Sequence, residues 1–166
     1  MSVRSKGSNL SIIIGVVCAT IQGIVLLASG SPFDFAHKIS KFDLIPPLWM
    51  WCLTLLICSF LAGYAFGAAL GDLCGGRTDR GGEALIYQGG MLFVAAYLLS
   101  LMHYPILFVE AKLIAALIIS LFALVLYGCC AFLWGRPCVM PSILISVCAV
   151  WSGYVFLVTG HLIFNI

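Results

Sequence analysis

The residues able to do chemistry are few. Eight cysteines stand among 166 residues. Cys18, Cys52, Cys58, Cys129, Cys130 and Cys148 fall inside apolar stretches, and Cys74 and Cys138 fall between them. No CxxC occurs and no Cys/His pair has zinc spacing, so the pattern points to no metal site. A quinone-linked membrane thiol oxidase would need a CxxC and is disfavoured. Buried cysteine behaves as a small hydrophobe, and the six within the stretches read that way. His103 lies at the end of the third apolar stretch, beside Pro105, and His161 near the end of the last. With no buried acidic or basic relay, an ion-coupled pump or proton channel has no residues to run on. There is no Ser/His/Asp set and no pair of carboxylates. GGRTDRGG lacks the Lys-Ser/Thr of a phosphate-binding loop and reads as a flexible connector. No residue takes a catalytic role.

The elements that must position these residues are membrane spans. Hydrophobic residues make up 63% of the chain and charged ones 8%, against about 45–50% and about 25% in soluble domains. Five uninterrupted apolar blocks, 10–28, 47–70, 84–102, 113–134 and 141–164, approach the ~20 residues that cross a bilayer. Alternating strand patterns are absent, so the expected fold is all-α, a single five-transmembrane-helix bundle. The first block follows Arg4 and Lys6 and ends in Ala28-Ser29-Gly30, much like a secretory signal. It exceeds the 7–15 residues of a signal's apolar core and is read as a retained helix. One side of the membrane would hold Arg4, Lys6, Arg77, Arg80 and Arg136, the other Lys38, Lys41 and Lys112. That bias puts the N-terminus in the cytoplasm. No Arg-rich leader marks an organelle, so a bacterial inner membrane is expected. A net charge of +2 does not suggest a nucleic-acid partner.

Stiff and bulky residues gather at FDLIPPLWMW, residues 42–51. Pro46 and Pro47 suit the first turn of a helix, where an N–H has no partner, and fix how the long first loop enters it. At about 100° per residue, Trp49 and Trp51 point about 200° apart. Gly63, Gly67 and Gly71 fall within about 40° of Trp49. One face therefore carries an indole above a G-x-x-x-G-x-x-x-G groove, which lets another helix approach closely. The same groove would serve as a seam between two copies. Trp51 would then face the lipid headgroups as an anchor, and an interface anchor is an equal reading of Trp49 from spacing alone.

Around this stretch the sequence resembles the translocator protein family, also called tryptophan-rich sensory proteins (TspO/MBR). The family pattern has W-x-P-P-x-W after a long first loop, a G-Y pair further on, then a short charged Gly-rich turn. Here LIPPLW ends at Trp49, Gly63-Tyr64 follows at the family's offset, and Gly71-Asp72-Leu73-Cys74-Gly75-Gly76 forms the turn. Pro105-Ile106-Leu107-Phe108 is similar to the family's P-I/L-F-F element, and Met140-Pro141-Ser142 to the proline that opens its fifth span. Leu44 replaces the family's first tryptophan, Leu101 and His103 replace two more, and Ser100 and Gly153 replace two asparagines. This resembles a divergent member.

The resemblance implies a five-helix bundle, often dimeric, with an apolar pocket under the first loop. Relatives bind porphyrins, sterols and benzodiazepine-type compounds. Trp49 matches the pocket tryptophan, and Ala96, Ser100, His103, Ile118, Phe122, Ala149 and Ser152 match pocket-lining positions. Residues 96, 100 and 103 share one helix face whatever the family, and each position also fits ordinary helix packing. The expected function is a membrane receptor or carrier for a flat hydrophobic molecule, a tetrapyrrole or sterol-like compound. Trp49 would stack on the ligand while Ser100 and His103 orient it. No cofactor is required, and a porphyrin or haem would be the ligand. The partners expected are this hydrophobic small molecule, membrane lipid and a second copy of the chain. A light-dependent porphyrin-degrading enzyme is an alternative, weakened by the three missing tryptophans. A structural subunit of a membrane complex is another, supported only by the glycines.

Overall fold

Runs of leucine, isoleucine, valine and alanine leave the backbone no polar partner but itself, so each apolar block closes its hydrogen bonds as a helix. In a computed structural model, residues 3–29, 46–75, 78–110 and 112–165 are described, with only the backbone for 3–8, 48 and 165. They form α1 (Val3–Ala28), α2 (Leu48–Cys74), α3 (Arg80–Tyr104), α4 (Leu113–Trp134) and α5 (Val139–Asn165). All five are long and apolar enough to cross a membrane. The chain is an all-α integral membrane bundle. The expected sites at Lys38, Lys41, Leu44, Gly76 and Arg77 lie outside the described residues.

The helix ends follow local chemistry. Pro47 caps α2 from an extended conformation, φ −50° and ψ 145°, and its carbonyl accepts from Trp51 N at 3.1 Å. The Asp79 carboxylate accepts from Gly82 N at 2.8 Å, satisfying a first-turn donor of α3. At the other end of α3, the third apolar block, read as ending at residue 102, stops short of Pro105. Instead the helix widens into one π-helical turn, Pro105–Val109. Proline has no N–H to give and crowds the carbonyl four residues back. The ladder re-forms with Glu110 N donating to Pro105 O, five residues back, at 3.0 Å. The third span therefore runs Arg80–Val109, and His103 lies inside it rather than at its edge.

α2, α3, α4 and α5 enclose the interior, and α1 lies outside them, packed mainly on α2. Gly63 and Gly67 make that packing possible. A Cβ on Gly67 would come within 2.6 Å of Ser11 Cα, and one on Gly63 within 2.8 Å of Cys18 Cβ. The close approach expected of the glycine stripe thus occurs within the chain, for α1, at these two positions; Gly71 is half-buried near the end of α2. Between α3 and α4, Gly89 gives room to the Trp134 indole, whose Nε1 donates to Ile86 O at 3.3 Å. Other ties are Tyr97 OH to Cys18 O at 2.7 Å and Ser142 Oγ to Ala131 O at 2.6 Å. Ile13, Val16, Leu98, Val125 and Val150 are exposed, the outer apolar surface that acyl chains cover.

Gly67→Ala forces two backbones apart, whereas nothing lies within 4 Å of a Cβ at Gly128. Thermal unfolding in detergent should show Gly67→Ala destabilised by about 1–3 kcal/mol. Gly128→Ala should be neutral or slightly stabilising, since alanine favours helix over glycine. Equal stability of the two variants would contradict the α1–α2 packing.

Candidate functional site

The interior holds two apolar clusters. One gathers Phe93, Tyr97, Tyr127, Trp134, Ile145 and Cys148. The other gathers Trp51, Leu55, Tyr104, Phe108, Val155 and Leu162. Between them, near the middle of the spans, three of the enclosing helices contribute polar side chains: Ser100 and His103 from α3, Ser120 from α4 and Ser152 from α5. All but Ser100, which is half-buried, are buried. Ser100, His103, Ser120 and Ser152, with Trp151 and Leu55, line a cleft of about 30 Å³, enough for about one or two waters.

Most hydrogens here are already committed. Ser120 Oγ donates to Leu117 O at 2.9 Å, and Ser152 Oγ to Cys148 O at 3.0 Å. Ser100 Oγ donates to Ala96 O at 2.9 Å and lies 3.2 Å from Tyr127 OH. With its own hydrogen used, Ser100 takes the phenol's. The serines therefore offer acceptor lone pairs. His103 differs. It is 5% exposed, and its Nε2 has no hydrogen-bond partner. The indole N–H groups of Trp51 and Trp151 are likewise buried without partners. Leaving a buried polar group unpaired costs about 1–3 kcal/mol, so three such groups together need an explanation.

Trp51 reverses the expectation from sequence. It is 1% exposed and Trp49 is 67% exposed. The Trp51 ring meets Phe108 at 5.5 Å and Trp151 at 5.4 Å, both edge-on, and Tyr154 at 6.3 Å. Trp49 does share the face of Gly63 and Gly67. In the antiparallel register set by Gly67 against Ser11 and Gly63 against Cys18, that face passes the end of α1 before reaching Trp49. No described helix covers the ring there.

The other expected residues divide. Ser100, His103 and Ser152 line the cleft. Ala96 is fully buried in the first apolar cluster, and Ala149 packs against it. Ile118 and Phe122 are exposed, because Ala116, Ser120, Ala123 and Tyr127 take the inner face of α4. They are corrected to outward positions. Trp51, Ser120 and Trp151 were missed. A lone serine in the long apolar run of α4, and an indole three residues from Cys148 and next to Ser152, were the available signals.

Among the described residues no group of three or more His, Cys, Asp or Glu could hold a metal ion. His103 is a lone imidazole. The chain matches no protein-family model, no curated protein and no solved structure. The resemblance to the translocator family therefore rests on the residues around Trp49 and Gly63-Tyr64, and the site stands on its own geometry.

The cysteines in the described loops and helix ends differ in reactivity. Cys138, in the α4–α5 turn, is buried. Burial, helped by the Asp72 carboxylate that its thiol faces, pushes its pKa up to about 12. Cys74, at the end of α2, is exposed. Only the thiolate attacks alkylating reagents. A maleimide at pH 8 should therefore label Cys74 and spare Cys138 until the protein is unfolded, as read by peptide mass spectrometry. Rapid labelling of Cys138 in the folded protein would contradict its placement.

Proposed function

We propose that the chain is a membrane receptor or carrier that binds a flat hydrophobic molecule bearing hydrogen-bonding edge groups, of the tetrapyrrole class. The observation carrying this reading is the buried, unpartnered Nε2 of His103 on a cleft lined by three serines and Trp151. An ionisable side chain held inside a span is expensive and marks a working site by default. Trp51 and Trp151 add buried N–H donors beside apolar ring faces. A carboxylate or carbonyl on a ligand's edge would accept from them, and its flat body would lie against the rings. The resemblance to the translocator family favours the same ligand class.

Pockets for drug-sized ligands measure about 300–1,000 Å³, far more than the cleft of about 30 Å³. Binding therefore requires the helices to part, and the ligand stabilises an opened state. Within the ring α2 touches α3 less than it touches α5, which makes the α2–α3 seam the natural one to open.

Titration with protoporphyrin IX, followed by quenching of tryptophan fluorescence, tests the reading. His103→Ala should weaken binding up to about tenfold, the loss of one buried hydrogen bond. Trp49→Ala should leave the affinity unchanged. Equal affinities for wild type and His103→Ala would remove the cleft from the binding site, and no quenching in any protein would remove the ligand class.

A further inference from the structure

A second hollow lies far from the cleft, at the turn between α4 and α5. It measures about 600 Å³, and its chemistry changes along its length. At the mouth stands Arg136, exposed, in the Gly135–Cys138 connector between two spans and so at headgroup level. Leu85, Phe132 and Leu133 form apolar walls, and Ser142 and Ser146 of α5 lie along it. Ser146 is the deepest of these, about 10 Å from the start of α5 at 1.5 Å per residue. The hollow thus runs from a guanidinium at the surface to hydrocarbon one or two turns inside.

We infer that this groove is a binding site for a phospholipid with an anionic headgroup. The guanidinium matches a phosphate with two parallel hydrogen bonds, and it has no ion pair among the described residues. Both serine hydroxyls donate to backbone carbonyls of the bundle, Ser142 to Ala131 O and Ser146 to Ser142 O. That leaves the arginine as the headgroup's donor. The apolar walls take the glycerol backbone and first methylenes, which a free phosphate ion would not use. No lining residue is acidic, so nothing there would hold the ammonium of a zwitterionic lipid. Asp79 and Glu83, at the start of α3, are the nearest carboxylates in sequence to Leu85, and neither lines the groove. Arg80 opens the same end of α3 and adds charge of the favoured sign.

The full chain, purified in mild detergent, is offered equal amounts of phosphatidylglycerol and phosphatidylcholine, and retained lipids are counted by native mass spectrometry. The expected result is preferential retention of one phosphatidylglycerol. Arg136→Gln should reduce the preference about fivefold, the share of one cation at a membrane surface. Ser146→Trp, at an exposed position, should fill the groove and lower retention of that lipid while leaving the melting temperature unchanged. Inorganic phosphate in excess should not displace it. An undiminished preference in Arg136→Gln, equal retention of both lipids by the wild type, retention unaffected by Ser146→Trp, or displacement by phosphate alone would each overturn the assignment.

Discussion

No water reaches the hydrocarbon layer, so a polar group buried in this bundle must find its partner on a helix. Most do. Tyr97 reaches across to Cys18 O, Trp134 to Ile86 O and Ser142 to Ala131 O, while serines and threonines along the spans donate one turn back on their own helix. Each bond between helices fixes the rotation of one against another in a solvent that gives helices no hydrophobic reason to associate. The exceptions stand out against this rule. Gln22 Nε2 on α1 is one, although its Oε1 accepts from Ser59 at 3.3 Å. Three others, on His103, Trp51 and Trp151, fall together.

Their grouping has a mechanical origin. Pro47 starts α2 so that Trp51 donates its backbone N–H to the capping carbonyl while its ring enters the bundle. Pro105 forces α3 into a wider turn, which carries Phe108 to the Trp51 ring at 5.5 Å. Trp151 comes to the same ring from α5. Two prolines thus bring three helical segments to one aromatic cluster, and the cleft with His103 lies directly beside it, where large rings give way to serines and alanine. The lipid-facing groove at Arg136 owes nothing to this cluster. It arises where α4 ends and a short turn leaves the flank of α3 open.

Much of the fold could be read from residue types. The five spans follow from block lengths alone, and the helix-packing role of Gly63 and Gly67 from their spacing. Ser100 and His103 could be placed on one face of α3 from their spacing, whereas Ser152 could be placed only by the family resemblance. Trp49 and Trp51 could not be told apart by angle, because spacing gives relative and not absolute rotation. Placing the glycine stripe inward carried Trp49 with it, but that stripe meets α1 at the outside of the ring. Ile118 and Phe122, placed by the family resemblance and not by spacing, fall on the outer side of α4. The third block reads as ending at residue 102, short of the π-turn, because such a turn has no signature beyond the proline itself.

The central claim is that the second indole, not the first, enters the bundle and packs on Trp151, which lines the cleft. Two proteins keeping only Trp49 or only Trp51, with phenylalanine at the other three tryptophans, can be placed in vesicles whose acyl chains carry bromine. Emission from Trp51 should be blue-shifted and little quenched, since neighbouring rings exclude lipid from it, and Trp49 should be the more strongly affected by its surroundings. Strong bromine quenching of Trp51 with a shielded Trp49 would contradict the account.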